Sequence, residues 1–355
     1  IQQYGVDAIN LSVLIIIVFV TIGQLTLDPL FRALGASETL LPLIKQYMVT
    51  WYWGMIFLVV PMVGNNIIRA TGDTFRPGMI MVAASILNIV LDPFLIFGWG
   101  PFPEMGLKGA ALATVIARAF GMMITVWILV FNERLLRFYI PRFSKMLGTW
   151  RKILYVSGPA ALGMMVTPLS MAIITRLIST FGKEAVAGLG VATRLESLGM
   201  LIIHALASVM TIYGGQNWGA GEKGRLRSGI KISSIFSLMW GLFLFVAGLI
   251  FAEPIARIFS DDPLVIAVTA NYMKIVSLSY CFLGIMMICL SMMNGINKPM
   301  YAMLVTSTRM FVLYVPFAFL LSSLMGLNGI FWAAFGANIL AGLTGLGFLW
   351  KKLKD

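Results

Sequence analysis

Charged side chains are scarce in this chain. Only 26 basic and 14 acidic residues occur among 355, or 11% of the sequence, about half the charge density of an ordinary soluble domain. Apolar residues make up 59%. Apolar runs of roughly 20 residues, long enough to cross a hydrocarbon layer of about 30 Å, recur from end to end. The composition excludes a water-soluble globule and predicts an all-α, polytopic membrane protein.

Side chains that bind metals or carry covalent chemistry are equally rare. The sequence has one histidine, His204, and two cysteines, Cys281 and Cys289. On a helix the two thiols lie about 12 Å apart along the axis, which is beyond the reach of a disulfide. One imidazole and two thiols cannot form a zinc site, and no Walker loop, nucleophile elbow or dinucleotide-binding glycine motif is present. We therefore expect neither an enzyme nor an ATP-driven pump, and no cofactor.

The apolar sequence divides into ten helical runs separated by short turns rich in glycine. Their predicted bounds, each soft by several residues, are about 9 to 27, 41 to 69, 77 to 97, 107 to 131, 152 to 179, 185 to 217, 228 to 251, 264 to 294, 300 to 323 and 327 to 350. Prolines within the runs lack backbone N–H donors and indicate either hinges or static kinks. They are Pro61, Pro159, Pro168 and Pro316.

Basic residues alternate between the loops on the two sides of the predicted bundle. Sixteen lie after the even-numbered runs or in the C-terminal tail, six lie in the other loops and their flanks, and four lie inside runs. Because cytoplasmic loops are enriched in Lys and Arg, the sixteen predict a cytoplasmic C-terminus and a place in the cell (inner) membrane. Charges scattered over short loops do not form the continuous basic face that DNA or RNA needs, so we expect no nucleic-acid partner.

The chain repeats itself at an offset of about 225 residues. With small gaps, this offset superposes two pairs of prolines, Pro29 on Pro254 and Pro93 on Pro316. Runs one to four pair with runs seven to ten, whereas runs five and six have no earlier counterpart. The repeat therefore predicts two further helices before Ile1.

A protein of two six-helix lobes, twelve helices in all, explains this arithmetic, because an even number of crossings restores the same orientation. Ten of the twelve helices are then visible. We expect a partial first lobe at 1 to 131, a cytoplasmic linker at 132 to 151 and a complete second lobe at 152 to 355.

Several motifs occur in the order typical of one transporter family. They are Asp28-Pro29, the segments Arg69–Thr74, Leu87–Pro93 and Gly109–Thr114, and, in the second half, Thr193–Ser197 and Gly215–Gly221. The collinear set spans the whole chain and resembles the MATE family, the multidrug and toxic compound extrusion transporters. The resemblance implies twelve helices in two lobes around a central cavity.

Asp92 is the first acidic residue predicted at membrane depth, where an unpaired charge costs several kcal/mol. It lies about 23 Å from the inner end of its run, and Asn88, four residues earlier, faces the same side. Resemblance to archaeal and DinF-like members implies that Asn88, Asp92 and Thr114 bind the coupling cation, H+ or Na+, with an aspartate on the family's first helix. The alternative is a solvated Asp92 at a helix end.

Glu196 is the second acidic candidate, about 17 Å into its run and near the membrane midplane. It would carry a proton, meet a cationic compound or form an ion pair with Arg118 or Arg309. Arg194 is two positions away and faces elsewhere, and His204, deeper on the same run, suits either a proton relay or ordinary packing. We predict a substrate cavity formed by these five residues.

The sequence also departs from the family in one respect. NorM-like members place a Glu on the seventh helix and an Asp on the tenth in a second-lobe cation site, and the matching positions here are Thr167 and Leu283. That site is therefore expected to be absent, which leaves coupling to the first lobe. Four basic residues lie within the runs against two acids, and this excess does not favour a purely cationic substrate.

Together these features predict a secondary active multidrug efflux transporter. It would exchange H+ or Na+ for amphipathic, mainly cationic drugs or toxins by alternating access, as a monomer in contact with membrane lipid. A related flippase for a lipid-linked saccharide is the alternative, because the basic excess suits an anionic cargo.

Overall fold

The computed structural model describes residues 2–33, 41–132 and 143–354, and within these ranges the chain contains helices and no strand. Among the described residues, nine helical spans are long and apolar enough to cross a membrane, and a bent pair of helices forms a tenth candidate span. The ten predicted runs are thereby confirmed as helical. Proximity of Cα atoms divides the chain into two units, Ile1–Ile153 and Leu154–Asp355.

Unit 1 holds four long helices and the start of a fifth. They are α1 (Gln2–Ala33), α2 (Leu41–Ala70), α3 (Phe75–Phe97), α4 (Gly106–Trp127, followed by a π-helical turn at Ile128–Asn132) and α5 (Phe143–Ser179).

Unit 2 holds the rest of α5 and eight further helices. They are α6 (Lys183–Gly199), α7 (Leu201–Gly219), α8 (Lys223–Phe259), α9 (Pro263–Val276), α10 (Tyr280–Gly295), α11 (Pro299–Ser307), α12 (Val315–Met325) and α13 (Leu327–Lys354).

The predicted linker, 132 to 151, lies only partly within the described structure. Residues 133–142 are outside the described ranges, and residues 143–151 belong to α5, which begins nine residues before the predicted start at 152. The lobe boundaries thus stay a prediction.

Helix starts and stops follow local side-chain chemistry. The Asp73 carboxylate accepts from the backbone N–H groups of Phe75 and Arg76 at 3.0 and 3.1 Å at the start of α3, and Asp262 accepts from Leu264 N at 2.8 Å at the start of α9. Both bonds satisfy N–H groups that have no partner inside the helix. Gly98 ends α3 with a left-handed φ of 70°, which glycine adopts at little cost.

Glycines let the helices of unit 1 approach closely. A Cβ added to Gly64 on α2 would lie 2.6 Å from Thr125 Cγ2 on α4, and one added to Gly109 on α4 would meet the Leu95 carbonyl on α3. Because lipid is as apolar as the helices, no hydrophobic driving force brings them together, and the close van der Waals packing that small residues allow stabilises the contact instead. As a result, α4 packs against both α2 and α3.

The span formed by α9 and α10 is the central element of unit 2. In the most apolar window of this span, 61% of the residues are buried. The same share is 17% to 28% for the spans of unit 1 and for those of α5, α8 and α11–α12. α10 packs against α7, α8, α11 and α13. Gly241 on α8 faces the backbone of Cys281, and the Ser237 hydroxyl donates to the Cys281 carbonyl at 3.1 Å. Close backbone contact therefore joins α8 to α10.

Gly241→Ala should destabilise unit 2 by about 1 to 3 kcal/mol, because the new methyl group meets the rigid backbone of Cys281. Thermal and denaturant unfolding of the purified protein measure the effect. Gly347→Ala is the matched control, since Gly347 is exposed within α13 and its added Cβ has no neighbour within 4 Å. Alanine favours a helix over glycine by about 1 kcal/mol, so equal stability of the two variants would contradict the close approach of α8 and α10.

Candidate functional site

Asn88 and Asp92 form a polar pair on α3. Asn88 Nδ2 lies 3.4 Å from Asp92 Oδ1, and both residues are half-buried. The spacing of four residues places both side chains on one face, so the pair predicted from the sequence is present. Asp92 lies about 26 Å along the helix from Phe75.

Thr114 lies at the level of this pair on the neighbouring helix. α3 and α4 are antiparallel, with Gly109 packed against Leu95 and Gly121 against Ala84. Thr114 is five residues beyond Gly109 and Asp92 is three residues before Leu95, which puts them within about 3 Å of the same axial level. The Thr114 hydroxyl donates to Ala110 O on its own helix at 3.0 Å, and no described hydrogen bond joins it to Asp92.

Unit 1 also contains a cavity of about 230 Å³ between α2, α3 and α4. Its polar lining consists of Asn65, Asn66, Arg69 and Arg118, without a carboxylate. Sequence reasoning selected Arg118 but assigned Arg69 to a loop and missed both asparagines. The charge that lines this cavity is therefore positive.

Unit 2 contains a larger cavity of about 450 Å³. Three of the predicted substrate residues line it, Glu196, His204 and Arg309. Thr167 and Leu283 line it as well, so it occupies the region where the resemblance places the NorM-type cation site. Five methionines complete much of its apolar wall: Met164, Met200, Met286, Met287 and Met303.

Glu196 is held by two tyrosines that the sequence analysis did not select. Its Oε2 accepts hydrogen bonds from Tyr272 Oη at 2.6 Å and from Tyr280 Oη at 3.2 Å. The two tyrosines are 5% and 1% exposed, and the Tyr272 ring meets Phe331 edge to face at 5.2 Å. A buried tyrosine hydroxyl generally has a polar partner, so tyrosine in an apolar run is the signal that could have found them.

Arg309 lies near this carboxylate without forming an ion pair with it. The guanidinium is close enough for Glu196, Tyr272 and Tyr314 to influence it electrostatically, yet no nitrogen–oxygen contact of 4 Å or less joins Arg309 to Glu196 among the described salt bridges. Its Nε atom is buried and has no hydrogen-bond partner. A buried donor without a partner is costly.

Three helical irregularities lie at or near Glu196, Tyr280 and Arg309. The α6–α7 pair bends by 50° around Met200, four residues after Glu196. A 3₁₀ turn, Ser277–Ser279, directly precedes Tyr280, and a π-helical segment, Thr308–Tyr314, contains Arg309. Breaks of this kind often mark functional positions in helices.

Side chains from neighbouring helices donate hydrogen bonds at two of these breaks. Trp240 Nε1 donates to the Gly199 carbonyl at 2.9 Å, and Asn338 Nδ2 donates to the Ser279 hydroxyl at 2.8 Å. Asn338 and Ser279 are buried. The Trp240 bond gives the Gly199 carbonyl the partner that a backbone group freed inside a membrane needs. The Ser279 hydroxyl, which Asn338 holds, donates in turn to the Val276 carbonyl at 2.7 Å. Both contacts stabilise the geometry that carries Glu196 and Tyr280.

The remaining predicted residue, Arg194, is exposed and does not line the cavity. One buried acid was missed: Asp7 on α1 is 0% exposed, and its carboxylate oxygens have no hydrogen-bond partner, although its backbone carbonyl accepts from Trp150 Nε1 at 3.0 Å. Asp7 precedes the predicted start of the first run, which explains the omission. Within the described ranges, no three His, Cys, Asp or Glu residues cluster as metal ligands.

Comparison with known protein families identifies relatives along most of the chain. The sequence profile of the family described as MatE matches residues 1–94 and 159–320. A protein of Shewanella oneidensis named FAD transporter is 36% identical over 338 residues, which is 95% of this chain and 75% of that protein. A Thermotoga maritima protein named probable multidrug resistance protein NorM is 29% identical over 284 residues, 78% of this chain and 60% of its own length.

A solved structure shares the fold. The Vibrio cholerae MATE transporter VcmN in its bent form superposes with a TM-score of 0.92 at 28% identity, covering 99% of this chain and 79% of that one. The all-α, multi-span architecture is therefore that of a known transporter fold.

Ser279→Ala should destabilise the protein by about 1 to 3 kcal/mol, because the buried Asn338 amide loses its acceptor. Denaturant unfolding measures this, and Ser323→Ala is the control, since the exposed Ser323 hydroxyl bonds only to Leu320 O on its own helix. If both variants unfold alike, the Ser279–Asn338 contact does not support the break before Tyr280.

Proposed function

We propose that this chain, which belongs to the MATE family of transporters, exports small organic compounds. We propose further that H+ or Na+ entering at Asp92 drives the export. The observation that carries this proposal is the half-buried pairing of Asn88 with Asp92 on a membrane-spanning helix. Its relatives bear the names of multidrug resistance proteins and of an FAD transporter, which are names of small-molecule carriers.

The chemistry of a carboxylate inside a membrane supports the coupling role. An ionised Asp92 is costly at this depth, and binding of H+ or Na+ removes its net charge. Sodium takes oxygen ligands, as hard cations do. The Asn88 side-chain amide and the Thr114 hydroxyl lie near the level of Asp92 on α3 and α4, and rotation of the amide would offer its oxygen to the ion. A cation that binds one conformation better than the other shifts the population toward it. Alternating access needs such a shift.

The orientation of the protein follows from its basic loops. We propose a cell (inner) membrane location with a cytoplasmic C-terminus, because 16 of the 26 basic residues belong to alternate loops or the tail. Under this orientation α3 begins inside and Asp92 lies in the outer half of the membrane.

The sequence-based prediction of mainly cationic substrates stays a prediction, as does the flippase alternative. Glu196 is the carboxylate that would meet a cation in the cavity of unit 2. The relative named FAD transporter makes a flavin nucleotide a second candidate, and the arginines that line the unit 1 cavity, Arg69 and Arg118, favour it.

Asp92→Asn should abolish gradient-driven export while leaving the amount of folded protein unchanged, because the amide cannot take up a proton or neutralise Na+. Efflux of ethidium and of FAD from vesicles with an imposed H+ or Na+ gradient measures the effect. Asp262→Asn is the control, since Asp262 is an exposed helix cap and Asn caps a helix equally well. Undiminished gradient-driven export by Asp92→Asn would refute the coupling role.

A further inference from the structure

We propose that the unit 2 cavity binds an anionic group of the transported compound at Arg309. The ligand class is an amphipathic molecule in which a phosphate or carboxylate is joined to a flat apolar part. This inference rests on the proposed function, because it names the substrate class of the same transporter. It differs from the sequence-based prediction, which assigned a cationic compound to Glu196.

Glu196 is already engaged within the protein. Two phenolic hydroxyls donate to its Oε2, the shorter bond at 2.6 Å, and both tyrosines are buried. These bonds use part of the hydrogen-bonding capacity of the carboxylate and fix its orientation, while no described hydrogen bond reaches Oε1. Tyr272 and Tyr280 therefore hold Glu196 against the wall of the cavity.

Arg309, by contrast, has unused hydrogen-bonding capacity. A guanidinium carries five N–H donors and remains charged in proteins. No described salt bridge joins it to Glu196, and its buried Nε has no partner. Nε itself is enclosed by protein, so a ligand in the cavity would meet the terminal Nη groups of the guanidinium, for which no hydrogen bond or ion pair is described. Such groups bind a phosphate or carboxylate through paired N–H donors.

The tyrosines explain why Arg309 stays available. A free Glu196 side chain would pair with the nearby guanidinium, as opposite charges in an apolar environment do. Hydrogen bonds from Tyr272 and Tyr280 restrain the carboxylate instead. While the cavity is empty, the nearby negative charge of Glu196 still offsets part of the free-energy cost of burying the Arg309 guanidinium.

The rest of the cavity fits an amphipathic anion. Asn294, Thr167 and Thr306 supply neutral polar groups, and methionines such as Met286 and Met287 supply a soft apolar wall. Methionine adapts to flat rings of different shape. A volume of about 450 Å³ lies within the range of small-molecule sites.

Unit 1 shows the same sign of charge by itself. Arg69 and Arg118 line its cavity, and no carboxylate does. The Arg118 side chain has no ion pair or hydrogen bond among the described contacts and is exposed. A cavity intended for cations would be expected to carry acids at such positions.

Binding to the purified protein in nanodiscs, without any ion gradient, tests the proposal. FAD and riboflavin share the flavin ring, but only FAD carries a diphosphate. We expect FAD to bind more tightly than riboflavin, and Arg309→Gln to weaken FAD binding by about 10- to 100-fold with little change for riboflavin. Arg194→Gln is the matched control, since Arg194 is exposed and lies outside the cavity lining.

Arg309→Lys tests whether the positive charge at this position, rather than a change in folding, accounts for the loss of FAD binding. A lysine keeps the charge but loses the paired donor geometry, so it should restore part of the FAD affinity. Thermal unfolding of each variant shows whether the protein is folded. A folded Arg309→Gln variant that binds FAD as well as the unsubstituted protein would overturn the proposal.

Glu196→Gln distinguishes the anionic from the cationic assignment. If Arg309 is the anchor, Glu196→Gln keeps or strengthens FAD binding, because the competing negative charge is removed. If Glu196 anchors a cation, the same change abolishes ethidium binding and leaves FAD binding weak in every variant. The second result would overturn the proposal.

A polyprenyl diphosphate incorporated in the nanodisc separates two sources of the same anionic chemistry. Arg309-dependent binding of either FAD or the lipid-linked diphosphate supports the site and identifies the soluble or the lipid-borne ligand, whereas Arg309-independent behaviour of both contradicts it. Because these assays use no gradient, failure of the Asp92 experiment leaves the binding result interpretable by itself.

Discussion

The structure depends on how a small number of buried polar side chains find hydrogen-bond partners inside an apolar helical protein. In hydrocarbon, water cannot satisfy a buried donor, acceptor or charge, so each such group needs a protein partner, a bound ion or a ligand. Asn338 finds Ser279, and Glu196 finds two tyrosines. Arg309 lies in the same region with a buried Nε that has no partner. In this region Arg309 is the group that the protein does not satisfy by itself, and binding of an anion is inferred from it.

The helical breaks connect this chemistry to the fold. Continuous α-helices satisfy their own backbone, whereas a bend at Met200, a 3₁₀ turn before Tyr280 and a π-helical segment around Arg309 free backbone groups. Pro316 contributes to the last of these, because its missing N–H leaves the Val312 carbonyl without its usual donor. These irregularities lie on the segments that bring Glu196, Tyr280 and Arg309 close to one another. Local conformational change at these positions would alter the site directly.

Sequence reasoning found what periodicity and spacing encode. Ten apolar runs predicted the helices, and a spacing of four residues predicted the Asn88–Asp92 pair. The three breaks of unit 2 escaped it, because helices that are apolar on all sides give no periodic signal when they bend. Proline was an unreliable guide: α5 passes through Pro159 and Pro168 as one helix. The tyrosines around Glu196 come from α9 and α10, more than 70 residues away, a separation that no local pattern reveals.

The account makes Arg309, with Glu196 restrained beside it, the anchor for a ligand anion. The most direct measurement is an electron cryo-microscopy structure of the protein bound to FAD in a nanodisc. We expect diphosphate density against the Arg309 guanidinium while Tyr272 still donates to Glu196. A ligand bound with its flavin ring against Glu196 and its diphosphate away from Arg309 would contradict the account.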